Sequence, residues 1–299
     1  MREPQKYLRP DVVSRLSSME LRARLVVEGF ITGLHKSPYH GFSVEFAEHR
    51  QYMPGDEIRR VDWKVLGRTD RYYIKQFEEE TNLKAYILVD TSRSMTFRSD
   101  GPVTKLEYAS YTAAALAYLM VRQQDAVGLV TYDEEIRKYL PPHATKVYLQ
   151  SILGELQNLA PGSKTGTGRA LNAVADRIRR RGLVLLFSDL FDDPAQVMSA
   201  LKHFRHNQHE IIVFHVLDPR ERDFDFGRDA IFRDMESGDE MMTQPWQIQR
   251  AYREAMGDFI SNYKKQCREQ RIDYVLLDTA TPFDAALYEF LNKRRTIGG

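Results

Sequence analysis

Lys84-Ala85-Tyr86-Ile87-Leu88-Val89-Asp90-Thr91-Ser92-Arg93-Ser94-Met95 is the stretch from which the rest of the chain can be read. Its first six residues form the short apolar run expected of a strand covered on both faces. A carboxylate and two hydroxyls follow at alternate positions, Asp90, Ser92 and Ser94. A looping backbone can turn all three oxygens the same way. Hard oxygen donors with one local negative charge suit Mg²⁺ or Mn²⁺ rather than zinc, which prefers His and Cys. Taken alone, the triplet reads at least as readily as a polar turn in which Ser94 or Thr96 caps a helix.

Outward from this strand the pattern alternates. It predicts a helix over 104–122, a hairpin of strands 126–131 and 136–140, and helices over 145–156 and 168–180. Strand 183–188, helix 194–206, strand 210–216, helix 248–270, strand 273–278 and helix 283–294 complete the series. Such alternation predicts an α/β fold, a doubly wound, mainly parallel sheet with helices on both faces. Residues 218–245 interrupt it and read as a solvated excursion with a hairpin turning at Ser237-Gly238-Asp239. Ahead of the sheet, apolar spacing predicts an amphipathic helix over 12–30. Segments 42–53 and 71–78 read as strands, and 56–66 as a short helix capped by Asp56. The expected organisation is therefore an N-terminal helix and small β-rich module over 1–80, followed by an α/β domain over 81–299.

Composition narrows the partners. The 299 residues carry 43 basic and 42 acidic side chains, so no charge excess points to nucleic acid or a membrane surface. The one cysteine, Cys267, excludes an intramolecular disulfide and a thiolate metal cage, and fits a reducing compartment. No apolar stretch approaches the ~20 residues that span a bilayer, and the N-terminus lacks the apolar core of a secretory signal. The expectation is a cytoplasmic chain without an integral membrane segment.

In a doubly wound sheet, ligands bind beyond the carboxyl ends of the strands where the strand order reverses. With 84–89 flanked by 126–131 and 183–188, that crevice opens between the ends of 84–89 and 183–188. Asp90 follows the first of these strands and Asp189 the second. Thr165, in Gly162-Ser163-Lys164-Thr165-Gly166-Thr167-Gly168, belongs to the loop that opens a helix at the same edge. Two carboxylates and three hydroxyls (Asp90, Ser92, Ser94, Thr165 and Asp189) thus converge.

This set resembles the von Willebrand factor A domain and its metal-ion-dependent adhesion site: D-x-S-x-S, a Thr in a Gly/Thr-rich loop, and an Asp after the fourth strand. The resemblance implies that Ser92, Ser94 and Thr165 hold Mg²⁺ (or Mn²⁺) directly or nearly so, that Asp90 and Asp189 act through water, and that a partner's carboxylate fills the last position. Asp189 is followed by Leu190 where the family has Gly, which alters the loop beyond the site. A second resemblance lies in Arg50-Gln51-Tyr52-Met53-Pro54-Gly55-Asp56-Glu57-Ile58-Arg59-Arg60-Val61-Asp62-Trp63-Lys64. It is similar to the R-x-Y-x-x-G-D-x-x-R-x-I-D-W signature of the bacterial domain-of-unknown-function family 58. That family joins such a module to an adhesion-site domain and is linked to MoxR-type AAA+ ATPases. Gly55 would permit the turn, Asp56 would cap the helix, Arg59 would pair with Asp56 or Asp62, and Trp63 would be buried between the modules.

The resemblance implies a non-enzymatic, Mg²⁺-dependent interaction protein acting with a MoxR-type ATPase or its clients through a carboxylate ligand. The rival is a metal-dependent hydrolase or phosphatase using Asp90 as nucleophile. Haloacid-type phosphatases carry a second acid where this chain has Ser92, and of the nearby groups only Asp189 offers itself as a general base. Other signals are weaker. His203, His206 and His209 step around a helix and read as its solvated, basic end rather than a zinc site. The loop 162–168 lacks the residue order of a nucleotide-binding P-loop. Arg177 and Arg179–Arg181 are explained by a helix C-terminus.

Overall fold

Two helices and a pair of short strands precede the main sheet in the computed structural model, which describes residues 9–35, 49–51, 73–75, 83–162, 166–227, 230–233 and 240–297. In place of one helix over 12–30 there are two, α1 (Pro10–Val13) and α2 (Met19–His35). Serines separate them. Ser14 Oγ donates to the Asp11 carbonyl at 3.4 Å and Ser18 Oγ accepts from Leu21 N at 3.3 Å, local bonds that compete with a continuous helix. Helix α2 buries Met19, Ala23, Val26, Val27 and Phe30, at three- and four-residue spacing, while Leu21 falls off that face and is exposed. Strands β1 (His49–Gln51) and β2 (Tyr73–Lys75) pair antiparallel, inside the two segments read as β. The 56–66 helix, Gly55, Asp56, Arg59, Trp63 and the boundary near residue 80 lie outside the described residues.

Along the rest of the chain come β3 (Lys84–Asp90), α3 (Lys105–Arg122), β4 (Ala126–Tyr132), β5 (Ile136–His143), α4 (Lys146–Gln157), α5 (Thr167–Arg177) and β6 (Leu183–Ser188). Then follow α6 (Pro194–His206), β7 (Glu210–Leu217), α7 (Pro219–Asp223), β8 (Ala230–Arg233), β9 (Glu240–Thr243), α8 (Pro245–Glu269), β10 (Asp273–Asp278) and α9 (Asp284–Ile297). Six strands form one sheet in the order β10-β7-β6-β3-β4-β5, parallel throughout except for the β4–β5 hairpin. This is the doubly wound sheet that the alternation predicts.

Period-two alternation splits β3 between two cores. Ala85, Ile87 and Val89 face α2, α3, α4 and α9, whereas Tyr86 and Leu88 face α5, α6 and α8. Helix α3 is started by a capping box, in which Thr104 Oγ1 accepts from Glu107 N at 3.1 Å and Glu107 Oε2 accepts from Thr104 N at 2.8 Å. It is buried on nearly every side because α2 lies across it, so Ala113, Ala114, Ala115, Leu116 and Ala117 meet neighbours all round. At the far edge, β5 carries Pro141-Pro142. Gly128 of β4 admits it closely: a Cβ there would lie 2.6 Å from the Leu140 carbonyl oxygen.

Segment 218–245 forms α7 and an antiparallel β8–β9 pair, with the predicted turn at 237–239 outside the described residues. Its reading as a solvated excursion fails where it begins. Asp218 is fully buried, and Glu221 Oε1 accepts from Lys105 Nζ at 2.6 Å. Glu221 is turned inward because a buried cation faces it, and Asp218 because Ser99 and the Arg220 backbone donate to it. His209 is likewise no part of a solvated helix end: it is buried, with Nε2 3.3 Å from the Ile178 carbonyl oxygen. No helix among the described residues is long and apolar enough to cross a membrane.

Candidate metal and docking site

Strand β3 ends in Asp90 at the point where the sheet order reverses, since its neighbours β4 and β6 lie on opposite sides of it. The Asp90 side chain is wholly buried and both its oxygens are engaged. Oδ1 accepts from Ser92 N at 2.9 Å; Oδ2 accepts from Ser188 Oγ at 2.7 Å and from Thr167 Oγ1 at 3.2 Å. Burial, and then the charge on Asp189, push its pKa up to about 6, against the hydrogen bonds from Ser188 and Ser92.

Beyond Asp90 the chain makes one 3₁₀ turn, Arg93–Thr96, which throws Ser94 back beside Ser92. Their hydroxyl oxygens lie 3.1 Å apart, Ser92 buried and Ser94 half-buried. This spacing makes a hydrogen bond. It also matches the edge of an Mg²⁺ octahedron, whose neighbouring oxygens are about 3.0 Å apart when each bond is about 2.1 Å. The hydroxyl pair and the Asp90 carboxylate therefore suit a hard divalent cation. Among the described residues no three His, Cys, Asp or Glu gather as a metal site.

The Gly-rich loop meets this edge at both of its described ends. Gly162 N donates to the Thr91 carbonyl at 2.6 Å, and Thr167 reaches Asp90. Thr165 lies outside the described residues. Glycine is needed at 162 because a Cβ would sit 2.2 Å from Asp133 Oδ2. Beside the two serines opens a cleft of about 890 Å³, lined among others by Thr91, Arg93, Thr96, Arg137, Lys138 and Glu155.

Asp189, the other sequence-predicted carboxylate, is fully buried and held differently. Oδ2 accepts from Lys105 Nζ at 2.7 Å, and the same ammonium donates to Glu221 Oε1. Burial pushes the lysine pKa down, but the charges and hydrogen bonds of Asp189 and Glu221 outweigh it and the net direction is up. Burial also raises Glu221, more than Lys105 lowers it. His215 Nε2 donates to the Asp189 carbonyl at 2.8 Å, which leaves Nδ1 to accept from Tyr274 Oη at 2.6 Å. Burial holds this imidazole neutral, with its pKa pushed down to about 4. Leu190 then takes a left-handed backbone, φ 56°, where the adhesion-site pattern has glycine, and buries its side chain in the core of α5, α6 and α8.

Sequence reasoning missed Ser188, Thr167, Lys105, Glu221 and His215. Two signals were available: a lysine at the first position of a helix, where the dipole disfavours a cation, and the Asp218-x-x-Glu221 capping-box spacing.

The family described as "Protein of unknown function DUF58" matches residues 48–266, well over half of the chain. The chain belongs to the DUF58 family. Uncharacterised proteins of Mycobacterium bovis and Mycobacterium tuberculosis are 28% identical to this DUF58 chain over 232 residues, covering 77% of it and 72% of each of them. Among solved structures, BatB from Bacteroides thetaiotaomicron superposes with a TM-score of 0.51 at 16% identity, covering 73% of this chain and 100% of that one. The SpRpn10 VWA domain matches at a TM-score of 0.41 and 13% identity, covering 69% of this chain and 94% of that domain. At 16% identity BatB speaks for the fold alone, and with the strand order above the DUF58 chain has a von Willebrand factor A-like fold.

Proposed function

We propose that this chain is a non-enzymatic docking module that holds Mg²⁺ (or Mn²⁺) at Asp90, Ser92 and Ser94, with Thr165 and Asp189 completing the set. The observation that carries the reading is the Ser92–Ser94 hydroxyl pair, 3.1 Å apart beside a buried carboxylate at the switch point of the sheet. Bound there, the metal would supply positive charge for a partner's Asp or Glu, in a crevice where Coulomb attraction exceeds that in bulk water. The exposed Arg93 favours the same kind of partner. Resemblance of residues 50–64 to the family signature supports a MoxR-type AAA+ ATPase, or one of its clients, as that partner.

Two features favour docking over the hydrolase reading. Both Asp90 oxygens are committed to hydrogen bonds inside the protein, which suits a structural carboxylate better than a nucleophile. The nearby His215 turns to a backbone carbonyl and a tyrosine, not toward the crevice carboxylates. Pull-down of a MoxR-type ATPase with purified protein, in Mg²⁺ and in chelator, tests the proposal. Capture should require metal, disappear in a Ser92→Ala/Ser94→Ala variant and weaken in Thr165→Ala. Capture of equal strength in chelator would show that the site does not mediate the contact, and turnover of generic phosphate or ester substrates would restore the hydrolase reading.

A further inference from the structure

Lys105 is the group for which folding alone gives no use. Its side chain has no exposed surface, it opens α3 where the helix dipole is already positive, and it is enclosed by Asp189, Glu221 and the Phe191 ring, 4.9 Å from its Nζ. Replacing such a buried ionic group with apolar side chains of similar volume is often neutral or stabilising, so stability does not explain its presence.

Charge does. Asp90 and Asp189 together carry the two negative charges that balance a divalent cation. Lys105 removes one of them, and Glu221, brought in on α7 from outside the sheet, restores it. Hydrogen bonds at the start of α7 hold Glu221 in this position: Ser99 N and Ser99 Oγ donate to Asp218 at 3.0 and 2.5 Å, and Glu221 Oε2 accepts from Asp218 N at 2.9 Å.

We infer that Lys105 and Glu221 are a matched pair that sets the divalent-metal affinity of the site, Lys105 lowering it by occupying Asp189 and Glu221 raising it by compensating Lys105. The inference rests on the metal-holding reading of Asp90, Ser92 and Ser94. Neither residue touches the hydroxyl pair, and both act through Asp189, so they are positioning residues.

Titration of the full chain with Mn²⁺, following free Mn²⁺ by electron paramagnetic resonance, tests this in four proteins. Against wild type, Lys105→Met should bind about tenfold or more tightly, and Glu221→Gln about tenfold or more weakly, because each changes the site by one full charge. The double variant restores the charge balance and should return to within a few-fold of wild type. Glutamine keeps an acceptor for the helix cap, and the double variant removes the ion pair as a unit, so these two carry the test if Lys105→Met alone does not fold. Equal Mn²⁺ affinity in the folded variants overturns the inference while leaving the docking proposal intact. Uptake by Lys105→Met but none by wild type sustains the inference and overturns metal-dependent docking by the natural chain. No uptake by any of the four overturns both.

Discussion

Two carboxylates end neighbouring strands of one sheet, and they are satisfied in opposite ways. Asp90 is surrounded by neutral donors, one backbone N–H and two hydroxyls, and no cation among the described residues is hydrogen-bonded to it. Asp189, at the end of β6, is tied to an internal ammonium that is itself shared with Glu221. Asp90 is left with charge to offer, while the charge of Asp189 is largely spent within the protein. Among the described residues the Asp189 side is thus balanced by an internal cation, and the Asp90 side is held by neutral donors.

The largest effect expected from breaking this contrast is on folding. Lys105→Met leaves two buried carboxylates without their cation and should destabilise the protein by about 3–5 kcal/mol, measured by urea unfolding in chelator. Asp90→Asn under the same conditions should do the reverse. It removes a desolvated charge while an amide can still meet the surrounding hydroxyls, and should stabilise by on the order of 2 kcal/mol at pH 8. Comparable destabilisation by the two variants would erase the distinction between the sides.

The Leu190 loop offers a smaller and more diagnostic test. Leu190→Ala should cost about 2–5 kcal/mol as a core truncation. Leu190→Gly, although it removes still more, should be about 1 kcal/mol more stable than Leu190→Ala, because only glycine adopts the left-handed backbone without penalty. Thermal melts of the two variants decide it, and alanine melting higher would show that φ at 190 costs nothing.

The smallest net effect is on acid stability, because the two sides oppose each other. Asp90 is raised to about 6, so its contribution is full below the unfolded value of 3.8 and is lost as pH rises through 6. His215 is lowered to about 4, so its contribution is full above 6.5 and is lost as pH falls through 4. Over roughly pH 4–6.5 the slopes from these two groups nearly cancel. His215→Gln should leave the Asp90 slope exposed, with stability falling as pH rises, and Asp90→Asn should leave the rising one. Parallel profiles for the two variants would refute the pairing.

How much of this was legible beforehand follows from where each residue meets its partner. Strands 183–188 and 273–278 have the bounds read from the sequence, because a polar or charged residue closes each apolar run. Asp90 and Asp189 could be placed because each follows such a run and the alternation of elements sets the strand order. Ser188 and Thr167 stood one and two residues from positions chosen as ligands, but only three-dimensional contact distinguishes a hydroxyl that serves a carboxylate from one that faces a crevice. Lys105 and Glu221 are 116 positions apart. A lysine and a glutamate in amphipathic surroundings read as surface charge, and nothing local announces that the tertiary fold closes over both. The break between α1 and α2 was hidden for the opposite reason: helical periodicity continued through serines whose hydroxyls bond to the local backbone.

The Pro141-Pro142 pair on β5 reaches beyond its own hairpin. Proline has no amide hydrogen, so this rim of the sheet is a poor template for another chain seeking to extend it strand by strand. Self-association by that route, with the fibrillar assemblies it leads to, is disfavoured by two adjacent imino acids. Encounters with other molecules are thereby directed away from the rim and toward the ends of the strands, where recognition depends on side-chain chemistry.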